Sequence, residues 1–247
     1  MDGRQEIRIV YINLDRSPDR RLWMEEQAKA TGLHFERFAA VDGSARHNLP
    51  KFPVSAGAVG CFLSHRELWR VIATGHAPHA IVLEDDVHLS PEAASYFTDL
   101  SWVPPNADIV HVGGSLRHCL VQRKWLPVGD RRLFRAIGEN GGTEAYIISK
   151  HCAAKLHREL LTIDKEFDQI LFNGGRPDLN IYKILPALCI QDHASSAPRF
   201  ESLIERAVAD HKLTSVGKLR RDLERVARKV AFWLRVLPTR RVRVHFR

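Results

Sequence analysis

The sequence predicts an α/β fold, with one mixed or mostly parallel sheet flanked by helices. Three observations carry that prediction. The first 40 residues read strand, helix, strand; β-branched apolar runs of strand length recur along the chain; and helix-period stretches alternate with them. With 247 residues, 45% of them hydrophobic and 27% charged, the chain is long enough for one sizeable core.

Taken in order, residues 7–14 (IRIVYINL) form the opening strand. Ser17, Pro18 and Asp19 then supply an N-cap, a first-turn proline and a first-turn acid for a helix running to about residue 30, with Gly32 ending it. A short strand covers His34 to Ala40. Residues 41–58 read as irregular because Gly43, Pro50, Pro53 and Gly57 interrupt any long element. A helix is expected over 60–74, burying Phe62, Leu63, Leu68, Trp69 and Ile72, and residues 80–84 (AIVLE) are the clearest buried strand. Asp108–Val112 forms another strand, and the basic segment 117–135 reads as a loop or small irregular insertion. A strand at 143–149, a helix at 150–161, a short helix around 167–172 and a strand at 181–185 complete the body.

The net charge of +8 is unevenly placed. Residues 206–247 hold 13 Lys/Arg against 3 Asp/Glu, a net +10, so residues 1–205 carry a net −2. The expected division is a body over 1–205 and a basic tail over 206–247. Leu219, Leu223, Val226, Val230, Trp233 and Leu237 recur at helical spacing, with Arg220, Arg221, Arg225, Arg228, Lys229 and Arg235 around them. Such a helix suits an anionic membrane surface through 218–247 first, with packing on the body as the next reading and a nucleic-acid or protein partner as the third. No apolar run approaches the roughly 20 residues of a membrane span. The start of the chain shows no leader pattern, and the four cysteines form no CxxC pair. These features lead us to expect a cytoplasmic protein, peripheral on the inner face of the membrane, with no specific nucleic acid as partner.

Glu84, Asp85 and Asp86 stand at the carboxyl end of the 80–84 strand, where open α/β sheets bind ligands. In an extended stretch Glu84 and Asp86 point one way and Asp85 the other. Oxygen ligands of this kind suit Mg²⁺ or Mn²⁺, which can bridge them to phosphates. A solvated acidic turn is the other reading of the same residues.

The chain resembles glycosyltransferase family 25, whose bacterial members extend lipooligosaccharide and whose animal relatives glycosylate collagen. The resemblance rests on YINLDRSPDRR (11–21), AAVDG (39–43), GAVGCFLSHRELW (57–69), AIVLEDDVHL (80–89), GGTEAYIISKHCAAKLH (141–157), FDQILF (167–172) and LPALCIQD (185–192). It implies a GT-A-type nucleotide-sugar fold and metal-dependent, inverting transfer of a hexose, galactose first, from a UDP-sugar to a glycan or lipid-linked glycan. In that reading Glu84 and Asp86 hold Mn²⁺ or Mg²⁺, and His193 completes the metal shell. Asp168 is the base, with Asp192 and Glu144 as weaker choices. Asn13, Asp15, Arg16, Arg20, Ser64, His65, Asp85, Gly142 and Thr143 contact the donor. One departure stands out: Ala58 occupies a position where the family usually has Glu, which implies a different sugar or acceptor, or weak activity. Two other classes use the same features: a metal-dependent phosphoryl-transfer or hydrolytic enzyme, and a non-catalytic membrane-associated binding protein.

Overall fold

The computed structural model describes residues 7–44, 54–114, 118–138, 141–173, 176–200 and 239–246. β1 (Arg8–Asn13) leads into α1 (Pro18–Thr31), which ends where Gly32 takes a left-handed φ of 66°. Ser17 holds the N-cap position, but its side chain makes no capping bond. β2 (Glu36–Ala39) returns parallel to β1. α2 spans Ala56–Thr74, four residues longer at its start than expected, because Ser55 caps it by accepting from the Ala58 N–H at 3.2 Å. β3 (His79–Glu84) then pairs parallel to β1 on the side away from β2.

β4 (Val87–Leu89), α3 (Ala93–Phe97) and β5 (Ile109–His111) follow, then β6 (His118–Val128) and β7 (Arg131–Gly138). This hairpin corrects the loop expected over 117–135. Val128 pairs with Arg131 across the two-residue Gly129-Asp130 turn, and Gly129 has a φ of 57°. Six successive exposed residues, Gln122–Pro127, hide the strand's alternation in the sequence. β8 (Ala145–Ser149) leads into α4 (Lys150–Glu159), whose Cys152, Ala153 and Leu156 are buried. α5 (Phe167–Leu171), β9 (Ile181–Leu185), β10 (Cys189–Gln191) and a 3-10 turn, Asp192–Ala194, follow.

The main sheet runs β11-β6-β7-β9-β5-β8-β3-β1-β2, where β11 is Thr239–Arg243. β2, β1, β3, β5 and β9 run parallel, while β8 lies antiparallel between β3 and β5. The sheet is therefore mixed, and helices cover it. One apolar layer joins it to α2, α4 and α5 through Phe62, Leu68, Trp69, Leu156 and Phe167. The other packs Met24 of α1 and Phe97 of α3 against Ile81, Leu83 and Ile147. Full burial of each such large side chain contributes roughly 1.5–3 kcal/mol.

The basic helix expected over 218–237 lies outside the described residues. The end of the tail is described, however, and it belongs to the sheet: Thr239–Arg243 pairs antiparallel with β6. The 205/206 division therefore does not separate residues 239–246 from the body. Among the described residues, no helix is long and apolar enough to cross a membrane.

Candidate active site

Chain order places β2 and β3 on opposite sides of β1, so the connections leave a crevice above the carboxyl ends of β1 and β3. A cavity of about 410 Å³ opens there. Its walls come from the end of β1 (Ile12, Leu14), the loop after β2 (Ala40 to Ser44), the first turns of α2 and the acids after β3. Two glycines allow the loop to meet the helix. A Cβ on Gly43 would lie 1.9 Å from the Ala56 carbonyl oxygen, and one on Gly60 would lie 2.7 Å from that of Val41.

The three acids separate by environment. Asp85 turns toward α1, accepting from Asn13 Nδ2 at 2.8 Å and Arg20 at 2.9 Å. Asp86 lies 3.4 Å from the same guanidinium and accepts from Gln191 Nε2 at 3.4 Å, while its Oδ1 is buried with no partner among the described residues. Burial, and then the charge of Glu84, push the Asp86 carboxyl up to about 7. Burial also pushes Glu84 upward, but His65 and the Thr143 hydroxyl outweigh it and hold Glu84 below the usual carboxylate range. Thr143 Oγ1 donates to Glu84 Oε1 at 2.5 Å, and His65 Nε2 faces the same oxygen at 3.7 Å. Glu84 thus points away from Asp85, as the alternation predicts.

An orphaned carboxylate oxygen beside a second ionised acid fits a hard divalent cation. Glu84 and Asp86, both bordering the cavity, are the acids that would hold it. His193 does not join them: it is exposed on the 3-10 turn and lines no part of the cavity, where Gln191 stands instead. The β4–β10 pairing explains this, since Gln191 is in register with Val87, and the Asp192 N–H donates to the Asp86 carbonyl.

Of the other expected residues, Arg16, Arg20, Ser64, His65 and Asp85 line the cavity. Arg16 pairs with Asp42 at 2.8 Å on the rim. Ser64 is engaged structurally, donating to the Gly60 carbonyl and accepting from the Val41 N–H. Asn13 sits behind the cavity, holding Asp85, and Asp15 is exposed and paired with Arg37. Gly142 and Thr143 line no part of the cavity; Thr143 reaches it only through its bond to Glu84. Asp168 accepts from the Gly142 N–H at 3.0 Å, so it reaches that loop rather than the cavity wall. Asp192 bonds His88 and the N–H groups of Arg199 and Phe200. Ala58 is buried in the first turn of α2.

Sequence reasoning missed Cys61, Asp42, Tyr146 and Gln191. All four lie within the segments that carry the family resemblance, which was a usable signal, but no local pattern singled out these positions. Glu144 is fully enclosed between Gly113 and Gly142, with neither oxygen hydrogen-bonded among the described residues, and burial pushes it up to about 7. Lys183, buried nearby, is lowered to about 8 by burial; it contacts His111 Nδ1 at 2.6 Å and donates to the Gly113 carbonyl.

Comparison with known proteins places the chain in a family. Residues 7–171 match the family described as glycosyltransferase family 25 (LPS biosynthesis protein). A glycosyltransferase 25 family member of Aedes aegypti is 32% identical over 192 residues, covering 67% of this chain and 31% of that protein. The chain thus spans about a third of that relative's length. The lacto-N-neotetraose biosynthesis glycosyltransferase LgtB of Neisseria meningitidis serogroup B is 25% identical over 234 residues, covering 85% of each chain. A solved glycosyltransferase involved in glycosylation of the major capsid of PBCV-1 aligns at a TM-score of 0.41 and 14% identity, over 77% of this chain and 94% of that one. With its profile spanning β1 through α5, the chain belongs to glycosyltransferase family 25.

Proposed function

We propose that the protein is a metal-dependent, inverting glycosyltransferase of GT-A type. It moves a hexose, galactose first, from a UDP-sugar to a lipooligosaccharide or other glycan. The observation that carries this reading is the pair Glu84 and Asp86 on the floor of a cavity whose rim bears Arg16 and whose wall bears Arg20. Glu84 and Asp86 would hold a divalent cation, Mn²⁺ or Mg²⁺, which would supply Lewis-acid stabilisation of the charge that grows on the leaving diphosphate. Arg16, at the rim, binds a phosphate oxygen by exchanging Asp42 for it. Arg20 stays on Asp85 and Asp86 and fixes their orientation. Asp168 lies outside the cavity wall, so it serves as base for an acceptor hydroxyl brought up to the Gly142 loop: the Gly142 N–H fixes one carboxylate oxygen, leaving the other to take the proton.

The glycan acceptor is supported by the family's description and by the name of the Neisseria relative. A lipid-linked acceptor fits the basic pattern of 218–237, which would hold the enzyme at an anionic inner membrane face. Because Thr239–Arg243 is a strand of the sheet, the membrane test should replace Arg220, Arg221, Arg225 and Arg228 with Ser rather than truncate the chain. Unchanged binding to anionic vesicles would remove that part of the proposal.

The central test is a screen of UDP-, GDP- and other nucleotide-activated sugars against a glycan panel, with and without Mn²⁺, read by mass. Metal-requiring transfer of one hexose from a UDP-sugar is expected. Phosphate release without any sugar transfer would favour a hydrolytic enzyme, and inertness toward every donor would favour a binding protein.

A further inference from the structure

Beside the acid pair lies a set of ligands of different chemistry. Among the described residues, Cys61, His65 and Glu84 form the one group of three whose ligand atoms all lie within 4.8 Å of one another. Cys61 and His65 are one helical turn apart on α2, so their side chains leave the same face. Glu84 reaches them from the end of β3. All three border the cavity, which leaves a route for an ion to enter and an open position for a fourth ligand.

We propose that Cys61, His65 and Glu84 form a site for a borderline-soft divalent ion of the Zn²⁺ or Co²⁺ class, distinct from the hard-cation pair Glu84–Asp86. Thiolate, imidazole and carboxylate are the ligands such ions take in tetrahedral sites, whereas Mn²⁺ and Mg²⁺ prefer oxygen. The three ligand atoms, all within 4.8 Å of one another, must draw together by at most about 1 Å to close on one ion. Ligand atoms about 2.0–2.3 Å from a tetrahedral metal stand roughly 3.3–3.7 Å apart, and His65 Nε2 already lies 3.7 Å from Glu84 Oε1.

The surrounding shell is built as well. His65 Nδ1 is 2.8 Å from the Tyr146 hydroxyl, which also accepts from Trp69 Nε1 at 3.0 Å. That contact fixes the ring with Nε2 toward the site. Thr143 Oγ1 holds the carboxylate of Glu84. Outer contacts of this kind orient metal ligands, and their loss typically lowers affinity by about 10–100-fold. Since both sites use Glu84, the soft ion and the donor-bridging cation compete, which makes Zn²⁺ an inhibitor of this protein. The competition rests on the glycosyl-transfer reading; the site itself does not.

The test is Co²⁺ titration of the full-length chain after chelator treatment, followed by near-ultraviolet and visible absorption. A thiolate-to-cobalt charge-transfer band saturating at one equivalent is expected, with removal by Zn²⁺ and persistence in equimolar Mn²⁺, which binds such ligands more weakly than Co²⁺. Cys61→Ser should lose the band while keeping its Tm, and Cys152→Ser should keep it. Tyr146→Phe should weaken Co²⁺ binding by about 10–100-fold. No thiolate band at saturating Co²⁺, or a band unchanged in Cys61→Ser, would overturn the proposal. Failure of every sugar donor would leave this spectrum as it is, so the two readings fail separately.

Discussion

Replacing Asp86 with Asn should stabilise the metal-free protein while removing its cation. In the folded chain the carboxyl is pushed from 3.8 to about 7 by burial and by Glu84. A folded value above the unfolded one means that the native state holds the proton more tightly. The contribution of Asp86 is therefore most favourable below about pH 4; it falls as pH rises through 4 to 7, then levels. At about 1.4 kcal/mol per pH unit, the ionised Asp86 costs up to about 4 kcal/mol above pH 7. Water entering the open cavity relaxes this to on the order of 1–2 kcal/mol. Asn needs no ionisation, so Asp86→Asn should raise Tm at pH 8 in chelator by about 3–6 °C, and by less at pH 5. The same variant should lose Mn²⁺ uptake and metal-dependent turnover. Thermal melts at both pH values and Mn²⁺ binding by electron paramagnetic resonance measure the two halves. A lower Tm at pH 8, or undiminished Mn²⁺ binding, would refute the reasoning.

Three further outcomes follow from the same geometry. Arg20→Ala leaves Asp85 buried with Asn13 as its remaining side-chain partner, so thermal melts should show a loss of about 3–5 kcal/mol at neutral pH that shrinks on acidification. Gly43→Ala puts a methyl group into the Ala56 carbonyl; we expect a loss above about 2 kcal/mol in urea titration and weaker donor binding, since the loop forms a cavity wall. Mn²⁺ affinity by calorimetry should rise about tenfold per pH unit below 7 and level above it, because the ion displaces the Asp86 proton; a flat profile from pH 5 to 7 would contradict this.

Much of the fold was legible because its signals are local. The β1-α1-β2 opening, β3 with its acids, and β8 with α4 each carry their own apolar period or cap. The β6–β7 hairpin did not, because charged and exposed residues from Gln122 to Pro127 obscure its alternation; the Gly129-Asp130 turn was the missed cue. β4 and β10 are three residues each and form only by pairing with one another across about a hundred residues of chain. The site followed the same division. Glu84, Asp86, Arg16 and Arg20 were expected from their place at or after strands, and all four line the cavity. The sequence neighbours Asn13 and Asp15 were expected at the donor, but one is buried behind Asp85 and the other faces solvent.

Residue order by itself determined the strand and helix types, the position of the acids at a carboxyl end, and the family, since these depend on short-range periodicity and contiguous motifs. Only the tertiary structure decided which acid is orphaned, that Gln191 rather than His193 reaches Asp86, and that Cys61 and His65 meet Glu84. Those outcomes depend on burial and on the register of segments far apart in the chain. Whether a carboxylate holds its proton or releases it is set by what surrounds it, and linear order does not specify those surroundings.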